Sequence, residues 1–167
     1  MDYWANVDAV NWFARAVFPE ILRAVPNSRF YIVGARPTAE VQQLAALPGV
    51  RVTGTVPDVR PYLAYAHLAV APLRIARGVQ NKVLEAMAMA QPVLATPAAM
   101  EGILPCPDLQ ESAADDPATL AQRALALLAD PAQREQRGQA GRNWVLRHYH
   151  WDRNLSRISL LLEGDAA

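Results

Sequence analysis

The alternation of short apolar runs with longer segments of helical periodicity constrains the fold of this chain more than any other feature. Runs of four or five residues, each typical of a strand, lie at 29–33, 50–53, 67–71 and 92–96. Short strands that are apolar on both faces and separated by helices are typical of a parallel sheet covered on both sides. The sequence therefore predicts an α/β fold with a Rossmann-like, doubly wound parallel sheet.

The helical segments complete this pattern. They are expected at about 8–25, 38–47, 58–65, 79–90, 117–128, 131–149 and 152–162, which makes the C-terminal third helical. A doubly wound domain usually starts with a strand, whereas this sequence opens in a helix. We therefore expect a first strand, and a preceding domain, upstream of residue 1.

The composition indicates one globular domain. The chain has 167 residues, of which 52% are hydrophobic and 19% charged, and its positive and negative charges balance. Balanced charge leaves no basic face for nucleic acid. A single cysteine, Cys106, excludes an internal disulfide and fits a reducing, cytoplasmic setting. Three scattered histidines argue against a metal centre, and no apolar stretch approaches the roughly 20 residues of a membrane span.

Loops that follow the predicted strands mark the expected ligand edge. In open α/β sheets, ligands bind beyond the carboxyl ends of the strands. Gly34, the turn 54–56 and the loop 72–80 all follow strand ends, so they are expected along one edge. The last of these loops leads directly into a helix.

The start of that helix is predicted to bind phosphate. The first backbone amides of a helix are free and form an anion site. Gly78 lets the backbone approach a ligand closely, and Arg74, Arg77 and Lys82 add positive charge to the same turn. Taken singly, Gly78 is also compatible with an ordinary turn, and the two arginines with solvated surface charges.

Glu85 is a lone carboxylate in an otherwise apolar run. It lies four residues beyond Asn81, on the same helix face and about 6 Å along the axis. That is about the separation between the phosphates of a nucleotide and its ribose diol, and a carboxylate accepts hydrogen bonds from both hydroxyls. The alternative is a solvent-facing glutamate paired with Lys82, three residues earlier.

Several segments resemble one enzyme family. "NKVLEAMAMAQPVLAT" resembles the donor-site segment of GT-B glycosyltransferases of the retaining, GT4-like group (glycosyl transferases group 1), and "NSRFYIVGARP", "GVRVTGTVPDVRPYLAYAHLAVAPL" and "WVLRHYHWD" are similar to other segments of that family's C-terminal domain. The combination of "MDYWANVDAVNWF" with "RIARGVQNKVLEAMAM" is most similar to bacterial sugar transferases associated with exopolysaccharide synthesis and PEP-CTERM sorting.

The resemblance implies a donor-binding half-enzyme. Residues 1–167 would form the C-terminal, nucleotide-sugar-binding domain, and the acceptor-binding N-terminal domain would lie outside this sequence, so that the fragment alone is inactive. The enzyme would transfer a sugar from a nucleotide diphosphate sugar to a glycan or lipid-linked acceptor, without a cofactor or metal. It would be cytoplasmic, with the full-length enzyme peripheral at the inner membrane, and its last helix would allow self-association.

The resemblance also implies roles for residues. The family has two glutamates eight positions apart: the second corresponds to Glu85 and binds ribose, whereas the first corresponds to Arg77, which accepts no hydrogen bond. Arg77 and Lys82 would stabilise the departing diphosphate. The remaining predicted nucleotide-sugar contacts are at strand ends and at the helix start: Gly34, Thr55, Val56, Arg74, Gly78, Val79, Gln80 and Asn81.

Two alternatives remain open. One is a non-catalytic GT-B-like interaction module, in which Arg77 reflects lost chemistry. The other is half of a nucleotide-sugar epimerase, a class that needs a further carboxylate and histidine that we cannot place in this sequence. Glu101 and Gly102, after the fourth predicted strand, are a weak indication of a turn near the phosphates.

Overall fold

The computed structural model describes residues 2–111, 113–150 and 155. Its strands are β1 (Phe30–Val33), β2 (Val50–Gly54), β3 (Ala69–Ala71) and β4 (Val93–Ala95). Its helices are α1 (Trp4–Trp12), α2 (Phe18–Ala24), α3 (Ala39–Gln43), α4 (Arg60–Ala64), α5 (Asn81–Ala88), α6 (Pro97–Met100), α7 (Pro107–Gln110), α8 (Pro117–Ala129) and α9 (Pro131–His148). A π-helical turn, Phe13–Val17, joins α1 to α2, and a 3₁₀ turn, Leu44–Ala46, extends α3.

The strands confirm the predicted parallel α/β fold. β1 pairs in parallel with β2, and β3 pairs in parallel with β4. Ala113 adds a parallel bridge to Ala95, beyond β4. Among the described residues, β1 does not pair with β3, so the strands form two pairs instead of one continuous sheet.

The prediction that both faces of the strands are covered is wrong for β1. Tyr31 is 52% exposed and lies opposite Arg51, which is also exposed. The neighbouring helix α4 has no buried residue, although its Tyr62 ring lies 6.2 Å from that of Tyr31. The apolar run at 29–33 therefore buries only alternate side chains, Phe30 and Ile32. β3 and β4 are also shorter than predicted, with three residues each.

The first helix begins earlier than predicted and contacts two cores. The helical run extends from Trp4 to Ala24, whereas the sequence indicated a start near residue 8. Val10 and Phe13 belong to a core with β1, β2 and Leu94 of β4, where the Phe13 and Phe30 rings lie 4.8 Å apart. Ala5 and Ala9 belong to a second core, with β3, β4 and α5. This helical run therefore packs against both strand pairs.

The later helices agree with the sequence where the structure describes them. α5, α8 and α9 lie within two residues of their predicted bounds at each end. α6 and α7 were not predicted, because each is one turn long and begins at a proline after a strand or loop. The helix predicted at 152–162 lies outside the described residues, except for residue 155. No helix in the described part of the chain is long and apolar enough to cross a membrane.

Two glycines bring α9 against the end of α5. A Cβ atom on Gly138 would lie 2.0 Å from the carbonyl oxygen of Ala90, a residue with a positive φ of 56°. A Cβ atom on Gly141 would lie 3.3 Å from the Met87 side chain and 3.8 Å from the Met87 Cα atom, which is ordinary contact. Backbone does not yield to the contact at Gly138, whereas a methionine side chain adjusts readily.

These two contacts predict different tolerance to alanine. Gly138→Ala should lower the free energy of unfolding by about 1–3 kcal/mol, because the new methyl group displaces α9 from the α5 end. Gly141→Ala is the matched control and should be near neutral, since the gain in helix propensity of about 1 kcal/mol offsets a mild contact. Urea denaturation measures both. A Gly138→Ala variant as stable as the unmodified chain would contradict the packing.

Candidate functional site

The ends of β1 and β2 bring three predicted contacts to one edge. Val33 lies opposite Gly54 in the parallel register, so Gly34 and the Thr55–Val56 turn leave the sheet side by side. Gly54 has a positive φ of 71°, which turns the chain sharply. The Thr53 hydroxyl donates to the Gly54 carbonyl oxygen at 2.9 Å and fixes this turn.

Thr96 fixes the loop that follows β3. It is 1% exposed, and its hydroxyl donates to the carbonyl oxygen of Leu73. The same hydroxyl accepts from the Ala99 amide at 3.3 Å, and the Thr96 amide donates to the Ala71 carbonyl oxygen at 3.3 Å. One buried side chain thus joins the end of β4, the start of α6 and the loop 72–80.

The tip of this loop is a closely packed backbone turn. Gly78 has a positive φ of 67°. The Gln80 side-chain amide donates to the carbonyl oxygens of Arg77 and Gly78, both at 3.2 Å. From the other side, Gly102 approaches so closely that a Cβ atom there would lie 2.3 Å from the Gly78 carbonyl group. The weakly indicated turn at 101–102 therefore does lie against the loop.

The start of α5 offers free backbone donors. Gln80 is the N-cap residue, and its side chain does not cap the helix. Its carbonyl oxygen accepts from the amides of Val83 and Leu84. The amides of Asn81 and Lys82 have no hydrogen-bond partner among the described residues. Free amides at a helix start carry partial positive charge and attract anions.

The faces of α5 explain the position of Glu85. Val83, Ala86 and Met87 are buried against the rest of the second core. Asn81, Lys82 and Glu85 are all exposed, on the side of α5 opposite its buried residues. They share one side because residues three and four apart on a helix are neighbours on its surface. Glu85 is therefore on the same exposed surface as the free amides.

The Lys82–Glu85 ion pair that competed with the ligand interpretation does not form. The Lys82 ammonium instead donates to the side-chain oxygen of Asn6 at 2.7 Å. The Glu85 carboxylate makes no hydrogen bond or ion pair with any described residue. It does act on Lys82 at longer range through its charge. Glu85 thus keeps its acceptor sites open to solvent.

Side chains of α1 bind the Arg74 guanidinium and the Lys82 ammonium, and the sequence did not predict these contacts. Asp8 accepts from Arg74 through two hydrogen bonds, one of 3.0 Å from Nε. The Arg74 guanidinium also lies 5.7 Å from the centre of the Trp12 ring. Asp8 and Asn6 are 66 and 76 residues from their partners, so local patterns do not reveal them.

The two cations differ in their electrostatic state. The hydrogen bond with Asp8 raises the pKa of Arg74, and the carboxylate offsets its charge. The Lys82 residue is exposed as a whole, but its ammonium end lies beside Asn6 and is partly shielded from water. This desolvation lowers the pKa of Lys82, and the charge of Glu85 partly opposes the effect.

The other predicted residues are placed as follows. Arg77 and Val79 are exposed, and the Arg77 side chain makes no hydrogen bond or ion pair with any described residue. The residues from Arg74 to Glu85 are thus brought together by the loop and α5. Gly34 and Thr55–Val56 lie at the ends of the other strand pair, and no hydrogen bond joins them to the loop within the described ranges.

The described residues contain no group of three or more histidine, cysteine or acidic side chains placed to hold a metal ion. His148 packs its ring on Trp144, with ring centres 4.2 Å apart. The polar groups at the site are backbone amides, the Lys82 ammonium, guanidinium groups, side-chain amides and two carboxylates, of which Asp8 is paired with Arg74 and Glu85 is not paired with a described residue.

Parallel strands, crossover helices and a glycine loop leading to a helix without a side-chain cap define a Rossmann-like α/β domain. The model of the family "Glycosyl transferases group 1" matches residues 1–130, and the chain belongs to this GT-B family of sugar-transferring enzymes. A comparison with curated proteins finds no match.

The Thr96 hydroxyl should contribute measurably to stability. Thr96→Val keeps the shape but removes the hydroxyl that donates to the Leu73 carbonyl oxygen, whereas the Ala99 amide keeps its bond to the Thr96 carbonyl oxygen at 3.1 Å. We expect a loss of about 1–3 kcal/mol in the free energy of unfolding, because a buried carbonyl group is left without its donor. Thr96→Ser is the control: it keeps the hydroxyl and loses one methyl group, about 0.8 kcal/mol. Denaturant titration that finds Thr96→Val the more stable of the two would contradict this assignment.

The pKa of Lys82 should be below the ordinary value of 10.5. Glu85→Gln should lower it further, because the opposing charge of Glu85 is removed. Across this pH interval the unfolded chain binds the proton more readily, so the Lys82 contribution makes the free energy of unfolding rise with pH. Carbon-13 NMR of lysine-labelled protein measures the pKa directly. An upward shift in the Glu85→Gln variant would contradict the proposed electrostatics.

Proposed function

We propose that this chain is the donor-binding half of a retaining glycosyltransferase that moves a sugar from a nucleotide diphosphate sugar to a glycan or lipid-linked acceptor in exopolysaccharide synthesis. The observation that carries this proposal is the exposed surface of α5. It presents free amides and the Lys82 ammonium at its start, and the open carboxylate of Glu85 one turn later on the same side.

The diphosphate is proposed to bind at the start of α5. The free amides of Asn81 and Lys82 and the Lys82 ammonium supply donors and positive charge for phosphate oxygens. Gly78 carries no side chain and has open space where one would begin, so the distal phosphate and the sugar can approach the backbone of Gly78 and Val79.

Glu85 is proposed to bind the ribose. It follows Asn81 by four residues, which corresponds to about 6 Å along the helix axis, and its carboxylate is exposed. An ionised carboxylate accepts hydrogen bonds from both ribose hydroxyls. The backbone at Thr55 and Val56, with Gly34 beside it, is proposed to contact the base.

Transfer with retention would depend on positioning and on stabilisation of the departing diphosphate. Negative charge develops on that group as the bond to the sugar breaks, and fixed donors that face it lower the barrier. Lys82 and Arg77 are proposed to fill this role. The Arg77 guanidinium is exposed and only donates hydrogen bonds, so it favours a phosphate or an acidic sugar over neutral sugar hydroxyls.

Arg74 is proposed to act at the edge of the site. Its charge is offset by Asp8, and its position is set by Asp8 and Trp12. A second domain of the same enzyme is proposed to supply the acceptor site, so the chain alone would bind the donor but transfer little or no sugar. The complete enzyme is proposed to be cytoplasmic and peripheral at the inner membrane.

Calorimetric titration of the chain with UDP, GDP and ADP tests the proposal. We expect one of the three to bind, and Glu85→Ala to weaken it about tenfold, equal to 1.4 kcal/mol, because the ribose hydroxyls lose their acceptor. Glu135→Ala is the matched control, since Glu135 is an exposed helical glutamate on α9.

Equal losses in the two variants would argue against a ribose contact at Glu85. If none of the three nucleotides binds, the non-catalytic interaction module becomes the better interpretation. The same outcome would also count against an epimerase, since that class handles the same nucleotide group.

A further inference from the structure

Lys82 is the only lysine of the chain. Lysine and arginine together number 16, so all the other basic side chains of this class are arginines. A lysine ammonium is a compact point charge with three donors, whereas a guanidinium is a broad planar group. The one lysine stands in the first turn of α5, between the free amides and Glu85.

The hydrogen-bond partner of Lys82 is Asn6, which lies 76 residues earlier in the sequence. Asn6 is in the first turns of α1 and is half-buried. Its neighbours Ala5 and Ala9 pack in the same core as Val83, so packing fixes α1 and α5 relative to each other. An ammonium only donates hydrogen bonds, so the Asn6 amide must turn its oxygen toward Lys82.

The chemistry of this partner differs from that of the neighbouring pairs. Arg74 is paired with the carboxylate of Asp8, and Arg36 with that of Asp2 at 3.0 Å. Each of those carboxylates offsets the charge of its arginine. Asn6 supplies an oxygen of the same size and reach but no negative charge. The contact therefore orients the ammonium without neutralising it.

We propose that Asn6 is a positioning residue for the diphosphate: it holds the Lys82 ammonium at the start of α5 with its charge uncancelled and its other donors directed to phosphate oxygens. This inference rests on the proposed function and adds to it a residue of α1. The partial desolvation of Lys82 acts in the same direction, because an ammonium that has lost water gains more from a phosphate.

The test uses Asn6→Asp, which keeps the oxygen in place and adds the charge that asparagine lacks. Inorganic pyrophosphate is the probe, because it contains the diphosphate without ribose or base. We expect Asn6→Asp to weaken pyrophosphate binding about tenfold or more and to raise the pKa of Lys82, since a carboxylate now cancels the ammonium. Lysine is unique in the chain, so carbon-13 lysine labelling gives one side-chain signal for both measurements.

A double-mutant cycle shows whether Asn6 acts through Lys82. Asn6→Ala and Lys82→Met should each weaken pyrophosphate binding, and the double variant should bind no more weakly than Lys82→Met alone. Thermal unfolding of each variant confirms that it is folded. The proposal is overturned if Asn6→Asp binds pyrophosphate as tightly as the unmodified chain, if the two losses multiply in the double variant, or if the unmodified chain does not bind pyrophosphate.

Failure here is distinguishable from failure of the proposed function. Pyrophosphate does not contain the ribose that Glu85 is proposed to bind, so Glu85→Ala should not weaken its binding; removal of the negative charge that acts on Lys82 favours the anion. A response to Asn6→Asp without any binding of UDP, GDP or ADP would support the positioning role and oppose the donor assignment. Nucleotide binding that depends on Glu85 but is unchanged in Asn6→Asp would support the donor assignment and oppose the positioning role of Asn6.

Discussion

The packing of one helical run across both cores is the constraint on which the rest of this structure depends. The two strand pairs share no strand-to-strand hydrogen bond among the described residues. Instead, Val10 and Phe13 pack in a core that joins β1 and β2 to Leu94 of β4, and Ala5 and Ala9 pack in the core of β3, β4 and α5. The same packing places the polar side of α1 beside the start of α5, so the geometry of the candidate site follows from the way in which the core is assembled.

Much of the fold was predictable because its signals are local. Each strand was located from a short apolar run, and α5 and its exposed Glu85 from helical spacing. The exposed face of β1 was not predictable, because Tyr31 is apolar enough to suggest burial. Its exposure depends on the placement of α4, which has no buried residue and does not cover that face. The one-turn helices α6 and α7 are too short for periodicity to reveal them.

The candidate site was predictable on α5 and its loop but not on α1. Arg74, Lys82 and Glu85 lie in one stretch of sequence, and the structure keeps them together. Asn6 and Asp8 contact residues that lie more than sixty positions later in the sequence, and their local sequence pattern does not indicate these contacts. The sequence does contain one signal that points to the region: among sixteen basic side chains, a single lysine stands at the helix start.

The close contact between Gly102 and Gly78 has a consequence for how such a site diversifies. Two backbone segments touch there with no space for a Cβ atom on Gly102, so the path of the loop tip is fixed. Arg77 and Val79, on either side of the tip, point into open solvent and are free of that restriction. Substitutions at these two positions can therefore change the surface that the loop presents while the backbone that supports them stays unchanged, which separates evolutionary change in the surface from change in the scaffold.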